Sequence, residues 1–255
     1  MTTYDLTHPL STATPPYPGD PPVRFDSHAT MVEDGYRTTS VSLVTHAGTH
    51  VDAPAHTEPD GKTLDEFPVT TFRFDATVVD CTDVDARSAI TADRLAAGNP
   101  SPGADALLVH TGWDDYWGTD RYRDHPFLAP GAAEWLVDRG YHVGLDTFSP
   151  DPTPAAGAGS AESESAESDP AESESAESES AESESVESDP AGNDGESAGE
   201  AAGIPAHHTL LGADRLVVEN LRGLDRLPDR VTVRAYPLAI VDADGSPVRA
   251  VAVDE

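Results

Sequence analysis

The chain has 255 residues, 47 acidic against 15 basic, for a formal net charge of −32, and Lys62 is its only lysine. A surface this negative repels polyphosphate, so nucleic acid is excluded as the expected partner. It suits concentrated salt, where screening lengths of ~3 Å at 1 M mute self-repulsion, and the cytoplasm of a halophile, a haloarchaeon, is the expected setting.

In chain order, the amino terminus MTTYDLTHPLS has neither a basic region nor an apolar stretch. No apolar run elsewhere approaches the roughly 20 residues of a spanning helix, so neither a signal peptide nor a membrane span is expected. Strands are predicted at TTSVSLVTH (38–46), DATVVDC (75–81), ALLVHTG (106–112), YHVGLD (141–146), RLVVEN (215–220) and VTVRAYPLAIV (231–241). Each is rich in β-branched or aliphatic residues and bounded by Gly, Pro or Asp. The single Cys81 lies in the second of these runs; it has no disulfide partner in the chain and reads as a small buried hydrophobe. Helices are predicted over ITADRLAAG, with Thr91 as cap and Gly98 as stop, and over PGAAEWLVDRG, from Pro130 to Gly140.

Between Ala155 and Gly203 the sequence becomes ESAESES-type repetition, 49 residues with 15 acids, no base and no aromatic. Such a segment cannot bury enough apolar surface to offset its ordering entropy, and disorder is expected there. The other 206 residues keep 32 acids against 15 bases, net −17, so the salt argument does not depend on the insert. Residues 1–154 and 204–255 read as one α/β domain interrupted by a disordered Glu/Ser/Ala-rich insert at 155–203. No GxGxxG or P-loop motif is present, and the GxSxG match GESAG (195–199) lies inside the acidic repetitive insert rather than between a predicted strand and helix, so the usual support for nucleotide binding and for a serine hydrolase is missing.

The densest chemistry is HAGTHVDAPAH, residues 46–56. Gly48 and Pro54 count against a helix. On a strand, side chains alternate with period two, and His46, Gly48, His50, Asp52 and His56 all fall at one parity. Fully extended, His46 and His50 would stand roughly 13 Å apart at ~3.3 Å per residue, too far for two imidazoles that must reach one ion at about 2.0 to 2.1 Å, so a bend at Gly48 is expected. Trp113 and Trp117 in TGWDDYWG could line a pocket, form an oligomer contact or pack in the core. DADG at 242–245 resembles the start of a calcium loop, lacks the later ligands, and reads as a hairpin turn.

The same motif, with DLTHPLSTATPPYPGDPP near the start, LLVHTGWDDYWG and GLDTFSPD in the middle, and HHTLLGADRLVVENL and PLAIVDADGSPVRAVA at the end, resembles the cyclase family of metal-dependent hydrolases. Its members include bacterial-type kynurenine formamidases, with isatin hydrolase a relative. The resemblance implies a swivelling β/β/α-type fold, a mixed sheet or open barrel with outer helices, assembling as a homodimer or homotetramer. It also implies two divalent ions, zinc or else manganese. His46, His50 and Asp52 would hold the first, and Asp52 would bridge to a second held by His207 and Glu219. The family pattern selects His207 over His208, because it places the ligand three residues before Leu210 and Leu211 and twelve before the glutamate. Read alone, Glu219 would be a surface carboxylate ending a strand. His56 would serve as general acid and base, with metal ligation as its rival role. Tyr17, where kynurenine formamidases commonly carry tryptophan, would stack on an aromatic substrate or else pack between Pro16 and Pro18. Asp146 and Ser149 would hydrogen-bond to a ligand histidine or else form a turn. The insert departs from the family, which uses a short loop there.

The activity this implies is hydrolysis of an amide by metal-activated water, with an arylformamidase converting N-formylkynurenine to kynurenine and formate as the leading form. Hydrolysis of a cyclic amide, imide or lactone, as in isatin hydrolase, is the alternative. A reading from another class is a metal-stabilised acidic interaction protein whose ESAESES segment recruits basic partners.

Overall fold

The aliphatic runs become the centre of one large mixed sheet. The computed structural model describes residues 1–154 and 203–254; apart from Gly203, the expectation of disorder for 155–203 lies outside the described residues. The strands, in chain order, are β1 (Thr2–Asp5), β2 (Arg24–Ala29), β3 (Thr38–Ser42), β4 (His50–Asp52), β5 (Arg73–Asp80), β6 (Ala89–Ile90) and β7 (Ala106–His110). They continue as β8 (Phe127–Leu128), β9 (His142–Leu145), β10 (Val217–Glu219), β11 (Arg230–Arg234), β12 (Gly245–Pro247) and β13 (Val251–Asp254). Three helices accompany them: α1 (Ala92–Ala97), α2 (Pro130–Asp138) and α3 (Pro205–Leu211).

Nine strands form the main sheet in the order β1-β13-β11-β5-β7-β9-β10-β4-β12. The central four, β5, β7, β9 and β10, run parallel, and every pairing outside them is antiparallel. Parallel strands are covered on both faces, which is why β7 reads as an unbroken apolar run, ALLV, all of it buried. Alternation then sorts its residues: Ala106 and Leu108 join one apolar cluster, Leu107 and Val109 the other.

The second cluster lies under the helices, with Leu95 of α1, Leu136 of α2 and Leu210 of α3 packed on Val143, Leu145 and Val217. In the first cluster, Val51 of β4 and Ala252 of β13, from near opposite ends of the strand order, share one set of contacts. The sheet is therefore curled about that cluster as an open half-barrel, with β1 and β12 as its terminal strands. Gly144 lets that cluster pack against bare backbone, since a Cβ there would lie 2.8 Å from both Leu108 Cδ2 and Leu221 Cδ1.

Helix ends follow the sequence signals. Thr91 accepts from Arg94 N to cap α1, and Pro130 opens α2, whose last turn closes at Gly140 with φ +77. Most predicted strands shorten at their ends, two of them markedly. The 38–46 run ends at Ser42 and pairs only with β2 in a separate, exposed ribbon. The 231–241 run ends at Arg234, shortly before Pro237, a residue with no N–H to donate to a ladder. Cys81 is buried as expected. Among the described residues no helix is long and apolar enough to cross a membrane.

Candidate metal centre

The 46–56 segment is more sharply folded than a kinked ribbon. Only His50 and Asp52 stand on a strand, as neighbours on one face of β4; His46 lies in the turn before it and His56 ends a 3-10 helix, Pro54–His56. Gly48, at φ +68, reverses the chain between the two histidines. In place of the extended spacing, the rings of His46 and His50 are 5.1 Å apart, and His46 Nδ1 lies 2.7 Å from Asp52 Oδ1. A Cβ on Gly48 would come within 2.7 Å of Leu10 Cδ2, a side-chain tip that would have to shift, so the backbone angle is the main reason for glycine here.

Strand register supplies the rest. β10 pairs antiparallel with β4 so that Glu219 stands opposite His50, and cross-strand partners share a face. His50 Nε2 is 3.1 Å from Asp52 Oδ1 and 3.3 Å from Glu219 Oε2. The site thus forms beyond the carboxyl ends of β9 and β10, where the sheet changes from parallel to antiparallel, the usual place for a ligand in an open α/β sheet. Over it sits the first turn of α3, with His207 Nε2 3.1 Å from Glu219 Oε1 and 3.8 Å from Asp52 Oδ2. His208 faces away and pairs with exposed Glu58 at 2.9 Å.

Asp151 places that helix. Its carboxylate accepts from the Ala206 and His207 amides, at 2.8 and 3.0 Å, and from His207 Nδ1 at 2.7 Å. One carboxylate therefore satisfies open donors at the helix start and orients the imidazole. The role expected of Asp146 falls to Asp151. Asp146 instead accepts from the Thr111 amide and hydroxyl and from Gly112 N, fastening the turn after β7. It follows β9 directly and points to the neighbouring strand end, too early in the chain to reach α3. Ser149 acts one bond further out, its Oγ accepting from Asp151 N at 3.1 Å.

The electrostatics favour a cation. Asp52 Oδ2 and Glu219 Oε1 are buried without a hydrogen bond of good geometry, an expensive state for a carboxylate unless something positive completes it. Burial, then the charge of Asp52, pushes the Glu219 carboxyl up. Burial opposes a proton on His46 and on His207, yet hydrogen bonds to Asp244 and Asp52 at the first, and a hydrogen bond to Asp151 with the nearby Glu219 carboxylate at the second, push both to about 10. Two sets of donor atoms within 4.8 Å of one another meet at Asp52, namely His46, His50 and Asp52, and Asp52, His207 and Glu219; a third, His46, His56 and Asp244, lies toward the solvent side. These imidazole and carboxylate donors fit a divalent cation, and the shared Asp52 joins the two sets.

Above the cluster opens a cleft of about 450 Å³. Tyr17 packs edge-on to Phe148, ring centres 5.6 Å apart, and both line it. His56 lies over His46 at 3.9 Å between ring centres, with a 29% exposed side chain. Burial, then the charge of His46, pulls it down to about 4. Trp113 is buried against Tyr122 and Phe148, and Trp117 stacks on His8 at 4.1 Å; neither is among the cleft's lining residues. DADG does turn the chain, but Asp244 reaches the site, 3.1 Å from His46 Nε2 and 3.9 Å from His56 Nδ1. Asn220, at φ +55 beside Glu219, donates from Nδ2 to Gly48 O at 3.0 Å. Asp151, Asp244 and Asn220 carry no signal of their own in the sequence: all three lie inside quoted stretches, the first two with the look of turn residues and Asn220 as the end of a strand.

Known proteins agree with this architecture. A kynurenine formamidase of Bordetella petrii is 28% identical over 253 residues, covering 97% of this chain and 96% of its own. Isatin hydrolase A from Ralstonia solanacearum superposes with a TM-score of 0.75 at 24% identity, over 100% of this chain and 92% of that one. A structure described as a potential metal-dependent hydrolase with cyclase activity gives 0.66 at 23%, covering 100% and 98%. The family model "Putative cyclase" matches residues 4–152, more than half the sequence and the whole of the HAGTHVDAPAH segment. By that match, this chain belongs to the cyclase family.

Proposed function

We propose that the chain is a metal-dependent amide hydrolase, and more narrowly an arylformamidase that cleaves N-formylkynurenine to kynurenine and formate. The observation that carries this is the convergence of His46, His50, Asp52, His207 and Glu219 at the floor of a cleft with an aromatic wall. Formamidase relatives that align along nearly their whole length support it. In this reading His46, His50 and Asp52 hold one ion, zinc or manganese, and Asp52, His207 and Glu219 a second. Such ions, when bound, polarise a carbonyl oxygen and lower the pKa of water.

The chain's own residues do the rest. Tyr17 and Phe148 hold the aryl ring. His56, half-buried at the cleft wall, takes a proton from the attacking water and delivers it to the aryl nitrogen as the C–N bond breaks. Water's oxygen ends on the formyl carbon, and formate and the free arylamine leave. A single domain of residues 1–154 and 204–255 interrupted by an insert, a homodimer or homotetramer, and the cytoplasm of a salt-adapted cell complete the proposal.

The test is formate release from N-formylkynurenine by the purified full chain loaded with Zn2+ or Mn2+. Release that a chelator abolishes is expected. A loaded protein that leaves this substrate intact but opens isatin would move the assignment to cyclic amides, the second reading, favoured by the TM-score of 0.75 to isatin hydrolase A. Metal without hydrolysis of either compound would leave the acidic interaction protein.

A further inference from the structure

We infer that Asp244 is a positioning residue that presents His46 to the ion through Nδ1, opposite to the other two histidines. The inference rests on reading the cluster as a cation site. Each of the three imidazoles turns one nitrogen outward to a fixed acceptor. His50 Nδ1 lies 2.8 Å from Gly48 O and His207 Nδ1 2.7 Å from Asp151 Oδ2, which leaves Nε2 of both toward Asp52 and Glu219. His46 is reversed: Nδ1 is 2.7 Å from Asp52 Oδ1, and Nε2 is 3.1 Å from Asp244 Oδ2.

A neutral imidazole has one N–H and one lone pair. An acceptor at Nε2 draws the proton there and leaves the lone pair at Nδ1 for a cation, and a carboxylate in that place raises the basicity of the ligand nitrogen. Asp244 is itself held on the segment it serves. Thr45 Oγ1 donates to its Oδ1 at 2.9 Å, and Ala53 N donates to its backbone oxygen at 2.8 Å. The next residue, Gly245, pairs with Asp52 across the β12–β4 ladder. A Cβ on Gly245 would lie 2.5 Å from His46 Cε1 and 3.0 Å from both ring nitrogens, so the ring rests against bare backbone. The turn read in DADG is thus the outer seat of a ligand imidazole.

Two measurements on the full chain test this. In Zn2+-loaded protein with 15N-labelled histidine, His46 is expected to carry its proton on Nε2, while His50 and His207 carry theirs on Nδ1. In competition with a chromogenic chelator, Asp244→Ala should bind Zn2+ ten- to a hundredfold more weakly, with circular dichroism unchanged because the Asp244 side chain is 42% exposed. Asp244→Asn, which keeps an acceptor, should fall between. Affinity is the readout because Asp244 also lies near His56, and a rate would mix the two effects. A proton on His46 Nδ1, or an Asp244→Ala chain that binds Zn2+ as tightly as the parent, would overturn the inference. A parent chain that takes up neither Zn2+ nor Mn2+ would overturn the cation reading itself, and the inference with it.

Discussion

The near half of the centre, His46 to Asp52, is local: one glycine turn and a three-residue strand bring its donors together. The far half, His207 and Glu219, comes from two elements beyond the acidic insert, and it exists only once β10 has paired with β4 and Asp151 has fixed the start of α3. A turn can thus build half of such a site, but the other half depends on the whole sheet. Asp52 belongs to both, with Oδ1 toward His46 and His50 and Oδ2 toward His207.

The comparison can be broken most severely at that shared residue. Asp52→Ala should abolish high-affinity metal uptake and lower hydrolysis by roughly a thousandfold or more, because groups that act as a unit fail together; metal analysis and formate release measure both. Asp151→Ala should strike the far half alone. Zn2+ affinity should fall about ten- to a hundredfold through His207, while the 15N signals of His46 and His50 keep their positions; movement of the near-half signals would show that the halves are not separable.

A smaller effect sharpens the contrast through the scaffold of the far half. Leu216 N, leading into β10, donates to His142 Nδ1 at 2.9 Å, and burial, then Arg215, pulls His142 down to about 4. The neutral ring is the folded form. Its contribution is therefore full above the ordinary value near 6.5 and is lost as pH falls from there through 4, on the order of 3 kcal/mol over the window. In chelator-treated protein, His142→Gln should flatten the denaturant stability of that interval by about 1.4 kcal/mol per pH unit relative to the parent. An unchanged slope would remove His142 from the account.

The sequence was most legible where one element carries its own signal. ALLVHTG, YHVGLD and RLVVEN announced β7, β9 and β10 by composition, and Thr91 and Gly140 marked helix ends that the fold uses. The near half was visible because its donors share eleven residues. His207 could be singled out only by resemblance: α3 is seven residues long, and its start is capped by Asp151, a residue from across the insert. Asp151 and Asp244 stayed hidden for a related reason. In SPD and DADG they have the look of turn formers, and their partners His207 and His46 are assigned by chain closure, which no local pattern encodes. The parity argument at 46–56 picked out side chains that do gather, but on the wrong backbone, since the left-handed Gly48 ends the alternation on which it relied.

The short β4 carries a further consequence. It lies between β10 and β12, with Glu219 set against His50 and Gly245 against Asp52. Sliding either neighbour by a single residue would turn its side chains to the opposite surface, sending Glu219 into the greasy interior of the curl or putting a bulkier residue where the His46 ring must rest. The register that closes these three strands is therefore also what assembles the donor set, and neither can change without the other.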